Sequence, residues 1–141
     1  MNTPIAIVAG LMLIAFFLHI SGGVWETLKI RPSSISAGKQ SASELTPYDR
    51  IWTQSLCAFQ MLGIDLLLMA TVLYLLAATD VIVQKRSAAL VCAAVFLLWG
   101  IVWFLQMVFL KRPMKEYFQL PHWAIWFVCA ALVYYGSNQF V

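Results

Sequence analysis

The sequence predicts an all-α, polytopic integral membrane protein, a single domain built as a four-transmembrane-helix bundle. Three observations carry this. Four apolar stretches, residues 5–20, 55–78, 88–110 and 121–135, occupy most of the 141 residues. The composition is 62% hydrophobic and only 11% charged, too few charges to cover one small soluble domain. The basic residues sit in the connections between the stretches. A helix rises 1.5 Å per residue, so a hydrocarbon core of about 30 Å asks for roughly 20 apolar residues. The second and third stretches meet that outright. The first and fourth reach it through semi-polar ends, residues 21–25 and 117–120.

Taken in order, the spans are expected at about 4–25, 47–78, 87–110 and 118–136. Loops 26–46 and 111–117 fall on one side and loop 79–86 on the other. The first stretch reads as a mature helix and not a signal peptide, because Met1-Asn2-Thr3-Pro4 has no Lys or Arg and no A-x-A site follows. Thr3-Pro4 and Thr46-Pro47 each set a capping hydroxyl before a proline, whose missing N–H costs nothing at the first helical position. Thr46 and Asp49 resemble a capping box with Asp in the Glu position. Pro32 is expected to end the first helix and Pro121 to begin the fourth. Residues 33–43 are a Ser/Gly/Ala-rich loop without apolar periodicity.

Charge orients the bundle. Lys29, Arg31, Lys39, Arg50, Lys111, Arg112 and Lys115 lie in the first and third connections, and only Lys85 and Arg86 in the second. Seven basic residues against two put the first and third loops in the cytoplasm and both termini outside. The net charge of +3 is this asymmetry. No basic patch is interleaved with aromatics in the manner of a nucleic-acid surface, so the expected partners are the lipid bilayer and a homo-oligomer or larger membrane complex. Cys57, Cys92 and Cys129 form no CxxC pair, which excludes a zinc ribbon and a dithiol redox motif.

Polar groups inside the membrane are costly, so they mark function or interhelical bonding. Asp65 lies about ten residues from either end of the second stretch, beyond the reach of snorkelling. It is either a functional carboxyl or glue between helices. Residues three, four and seven apart share a helix face. Gln54, Ala58, Met61 and Asp65 then form a stripe on the second helix. Trp99, Trp103 and Gln106 form one on the third, with Gly100 beside it for close approach. His122, Trp126 and Cys129 form one on the fourth. Facing one another, these stripes would line a cytoplasm-facing pocket, polar at its mouth and aromatic deeper in. The alternative is core packing.

The first helix ends in His19-Ile20-Ser21-Gly22-Gly23-Val24-Trp25-Glu26. In a continuous α-helix His19, Gly22, Gly23 and Glu26 share a face, and the paired glycines let a backbone or flat ligand approach. The imidazole and carboxylate are then roughly 10 Å apart along the axis, too far to grip one ion together. A metal or a haem iron would require His19 and His122 jointly, and the cofactor is otherwise unknown.

This H-x-x-G-G-x-x-E stretch resembles a set of small bacterial inner-membrane proteins of unassigned function. Pro32, Trp52 opening the second helix, Pro121-His122-Trp123 and Gly136 fit the same pattern. The resemblance implies a compact four-helix fold and marks His19, Gly22, Gly23 and Glu26 as the site; it brings no activity. In topology alone the chain is also similar to the membrane-associated eicosanoid and glutathione enzymes, trimers that bind glutathione near the cytoplasmic face. Their Arg, Asn and Glu pattern is broken here, where Arg50 is followed by Gln54 and residues 52–63 contain no Glu.

Walker, GxGxxG, HExxH and GxSxG motifs are absent. The expectation is a binding or accessory protein of the inner membrane. Its ligand, small and hydrophobic or cofactor-like, is contacted by His19, Gly22, Gly23, Glu26, Gln54, Asp65, Trp99, Trp103, Gln106 and His122. An enzyme of the glutathione type and a structural small subunit are the alternatives.

Overall fold

The computed structural model describes residues 1–32, 46–119 and 122–140. The expected loop 33–43, Lys39, and the helix start at Pro121 lie outside them. Among the described residues every regular element is helical: α1 (Thr3–Leu18), a π-helical turn (His19–Val24), α2 (Trp25–Lys29), α3 (Pro47–Ala78), α4 (Lys85–Phe109), α5 (Met114–Gln119) and α6 (His122–Ser137). Three helical stretches are long and apolar enough to cross a membrane: Thr3–Lys29 with 27 residues, Pro47–Ala78 with 32, and Lys85–Phe109 with 25. At 1.5 Å per residue each exceeds the roughly 30 Å hydrocarbon core. They mark a membrane protein.

Burial follows the rule for membrane helices. The interior is rich in small residues, including Ala9, Ala70, Ala77, Ala89, Ala93, Ala130, Cys92 and Cys129, while Ile14, Phe17, Leu98, Val102 and Val128 face outward. Larger side chains share this interior, Phe96, Met12 and Leu73 among them. Lipid is as apolar as leucine, so outward-facing large residues cost nothing, and the small ones let backbones approach.

The chain divides into two compact units, residues 1–10 with 69–141, and residues 11–68. In the first, α4 packs along α6, and the Phe127 ring stands 3.0 Å from where a Cβ on Gly100 would be. Asn2 ties three elements together. Its N–H donates to Ala77 O at 2.9 Å, and its carbonyl accepts the first helical bond, from Ala6 at 3.0 Å. Its side-chain Nδ2 donates to Gly136 O at 2.7 Å, while Oδ1 accepts from Ile5 N–H at 3.4 Å. The cap of α1 is therefore Asn2 and not Thr3. The amide side chain holds an acceptor for the helix and a donor for Gly136, and a hydroxyl at Thr3 sits one residue too late. A Cβ on Gly136 would stand 2.6 Å from Ile5 Cγ1 and 2.8 Å from Asn2 Oδ1, so these two side chains fit against α6 only because this residue is glycine.

The Thr46–Asp49 box forms. Thr46 N–H and Oγ1 both donate to Asp49 Oδ2, at 2.6 and 2.8 Å, and Asp49 N–H returns a bond to Thr46 Oγ1 at 3.3 Å. At the far end of α4, Leu110, Lys111 and Arg112 N–H groups close the helix on Gln106, Val108 and Met107 carbonyls. Lys111 holds the left-handed conformation there at φ 49°, a role usually given to glycine.

Candidate functional site

The site begins where α1 stops being an α-helix. His19-Ile20-Ser21-Gly22-Gly23-Val24 forms a π-turn, a feature that inserts one residue and recurs at functional positions. Two glycines weaken the α-helix here, since glycine lowers helix stability by about 1 kcal/mol each against alanine. Two hydroxyls take up carbonyls beside the wide turn: Ser21 Oγ donates to Phe17 O at 2.7 Å, and Thr27 Oγ1 to Gly23 O at 2.8 Å.

One face of α3, carrying Trp52, Phe59 and Gly63, runs along this segment in antiparallel register. Trp52 Nε1–H donates to Thr27 O at 2.8 Å, and the Arg31 guanidinium lies over the Trp52 ring at 6.0 Å. Further along, Phe59 meets His19 and Gly23, and Gly63 admits Ile20, whose Cδ1 stands 2.9 Å from where a glycine Cβ would be.

His19 is held twice. Its ring stacks on Phe59 with centroids 5.0 Å apart and planes 22° apart, and its Nε2 lies 2.8 Å from the Phe59 carbonyl oxygen. A carbonyl only accepts, so Nε2 carries the proton and, in the neutral ring, Nδ1 carries the lone pair. Nδ1 makes no hydrogen bond with a described residue. It faces Gly23, 3.7 Å from where a Cβ would be, and a Cβ on Gly22 would meet nothing within 4 Å. An imidazole fixed at Nε2 and open at Nδ1 can accept a hydrogen bond, take a proton or ligate a metal.

Glu26 does not join it. The residue inserted by the π-turn rotates everything after it by about 100°, one α-helical step. Glu26 is exposed, and that rotation carries it off the face it would share with His19 in a continuous α-helix. Gln54 and Asp65 also do not join it. They stand about 180° and 200° around α3 from Gly63, and both are exposed.

The other unit holds Trp99, Trp103, Gln106 and His122. Trp103 contacts His122 with centroids 4.9 Å apart, and Trp99 contacts Trp126 edge-on at 5.2 Å. The α4 and α6 stripes thus meet in antiparallel register, extended by Phe96 on Trp126 and Phe104 on Trp123. Trp103 Nε1 is buried with no acceptor among the described residues, a state that costs about 1–3 kcal/mol. Gln106 is exposed. An open cleft of about 640 Å³ at the α3–α4 connection is lined by Asp80, Lys85, Arg86, Gln139 and Phe140 among others, none of them an expected site residue. There Lys85 bonds Asp80 at 2.6 Å and holds that carboxyl below its ordinary range. Among the described residues no three His, Cys, Asp or Glu side chains gather as a metal site, and the cysteines are free.

Phe59, Gly63 and Thr27 were not singled out by the sequence. The signal available was the shared face of Trp52, Phe59 and Gly63, at spacings of seven and four.

Residues 5–140 match the family model described as OpgC protein. The chain belongs to that family. The match reaches into both units and covers every helix apart from the first two residues of α1. No curated protein matches the chain, and no solved structure does. The likeness to eicosanoid and glutathione enzymes rests only on the topology expected from the sequence, of which three membrane-length helices are seen.

Proposed function

We propose that the protein is a multi-pass binding or accessory protein of the bacterial inner membrane that holds a small hydrophobic or cofactor-like ligand at the His19 turn. In this reading α6 is the fourth span. Its 16 residues cover about 24 Å at 1.5 Å each, which fits a thinned bilayer or a span completed by the segment before it. The excess of basic residues in the first and third connections supports termini on the outer side.

The observation that carries the reading is His19, bonded at Nε2, stacked on Phe59 and open at Nδ1 beside Gly22 and Gly23. A π-turn, two glycines and a precise hydrogen bond are a costly way to present a ring that does nothing. A ligand with a donor group would bond Nδ1 and lie over the glycines. In the other unit, and taken by itself, the indole N–H of Trp103 is buried with no acceptor among the described residues, beside His122, which makes it a separate candidate for a polar contact.

The test is native mass spectrometry with visible absorption and metal analysis, on protein purified gently from its own membrane. The expected result is a stoichiometric small molecule on the wild type that His19→Ala loses while remaining folded. Retention of the molecule by His19→Ala would remove His19 from the site. A partner protein in place of a small molecule would favour the structural-subunit alternative.

A further inference from the structure

A second face of α3 is exposed from the helix start to beyond its middle. Ile51, Gln54, Ala58, Met61, Asp65 and Leu68 are all exposed, Met61 at 66% and Leu68 at 58%. Their spacing alternates three and four residues, the repeat by which two helices pack along a seam. The opposite face is already used, since Trp52, Phe59 and Gly63 lean on the first helical segment.

Exposed apolar side chains in a membrane-spanning helix face lipid at no cost. A carboxyl and a carboxamide do not. Gln54 and Asp65 make no hydrogen bond or ion pair with a described residue, and Asp65 sits deep within a 32-residue apolar helix. Intramembrane carboxyls face a bundle interior, a wet cavity or a partner.

We infer that this stripe is an interface with a second copy of the chain, a parallel pair in which Asp65 meets Asp65 and Gln54 meets Gln54. All copies of a membrane protein insert the same way, so a two-fold axis runs along the membrane normal and each depth meets itself. The side chains at the two polar depths are self-complementary. A carboxamide has both donor and acceptor, and two carboxyl groups brought together pair by sharing one proton between them. Two such groups eleven residues apart, roughly 16 Å along the helix, are matched together by a second copy with no further requirement. A different partner would have to carry two polar groups at the same separation. Ala58, between them, allows close approach. The inference rests on α3 crossing the membrane and not on the ligand at His19.

The test is disulfide trapping in native membranes. Cys57 flanks the seam, so the background carries Cys57→Ser and is itself the baseline. Ala58→Cys and Met61→Cys are expected to give an oxidised product of twice the chain mass. Leu67→Cys, exposed but off the seam, is expected to give none. Adding Asp65→Asn, which keeps a self-complementary group, preserves the product, and Asp65→Leu lowers it roughly tenfold although the helix becomes more apolar. Absence of the product at both seam positions overturns the inference. So do equal trapping at Leu67, a product of another mass, or indifference to Asp65→Leu.

Discussion

His19 owes its orientation to groups that a list of titratable residues would not contain: a backbone carbonyl, the ring of Phe59 and the missing Cβ of Gly23. Gly23→Ala is therefore expected to displace the Phe59 ring, 3.0 Å from the new methyl, and to weaken ligand retention at least as much as it lowers thermal stability. Retention measured beside melting temperature checks this. Trp103→Phe separates two roles of the indole. If its N–H serves only packing, removing an orphaned donor leaves stability equal or higher by about 1 kcal/mol; if it meets a ligand, the ligand weakens while the fold holds. Gly136→Ala is expected to destabilise by roughly 1–3 kcal/mol, because Ile5 and Asn2 occupy the space, read as a fall in melting temperature in detergent. At this scale the sequence was legible where spacing alone decides. Gly100 stood at a helix contact, and the Thr46–Asp49 box formed as its spacing required. Gly136 was singled out only by the family pattern, and its contact with Ile5 and Asn2 was not foreseen. Asn2 and Phe59 were not legible, because their parts come from residues distant in sequence, Gly136 and His19.

Among elements, the π-turn is the part periodicity could not reveal. Apolar spacing through residues 5–20 is equally consistent with an uninterrupted α-helix, and the glycine pair shows only that the α-helix is weak there. The consequence is large: Glu26 shares the His19 face in an α-helix and leaves it when one residue is inserted. Deleting Gly22 tests this directly. The turn is expected to revert to α-helix, carrying Glu26 back toward the His19 face, so that circular dichroism is unchanged or stronger while ligand retention is lost. Retention at wild-type level would show that the wide turn has no part in binding. The α3–α4 connection carries a pH dependence of its own. Lys85 lowers the proton affinity of Asp80 in the folded protein, so their contact contributes above the ordinary carboxyl range and disappears as pH falls through the lowered folded value. Amide exchange in residues 79–84 is expected to rise, after correction for intrinsic rates, on acidification through that range.

For the whole molecule, composition and segment length were enough for the class. Among the described residues every regular element is helical and three stretches are of membrane length, which agrees with the class that 62% hydrophobic and 11% charged residues predict, while the sequence predicts four spans. The stripes on α4 and α6 were readable because aromatic residues three and four apart must share a face, and they meet as Trp103 with His122 and Trp99 with Trp126. Gln54 and Asp65 were harder to place, since a polar stripe on a long apolar helix suits a pocket and an intermolecular seam equally until its exposure is known. The central claim is that His19 presents an open acceptor to a ligand, and nitrogen-15 NMR of its ring tests it most directly, in ligand-stripped protein and after the native extract is returned. The expected result is a protonated Nε2 and a bare Nδ1 whose resonance moves when ligand binds. The reversed tautomer in the stripped protein, with the proton on Nδ1 and none on Nε2, or an Nδ1 signal unmoved by a ligand that demonstrably binds, would contradict it.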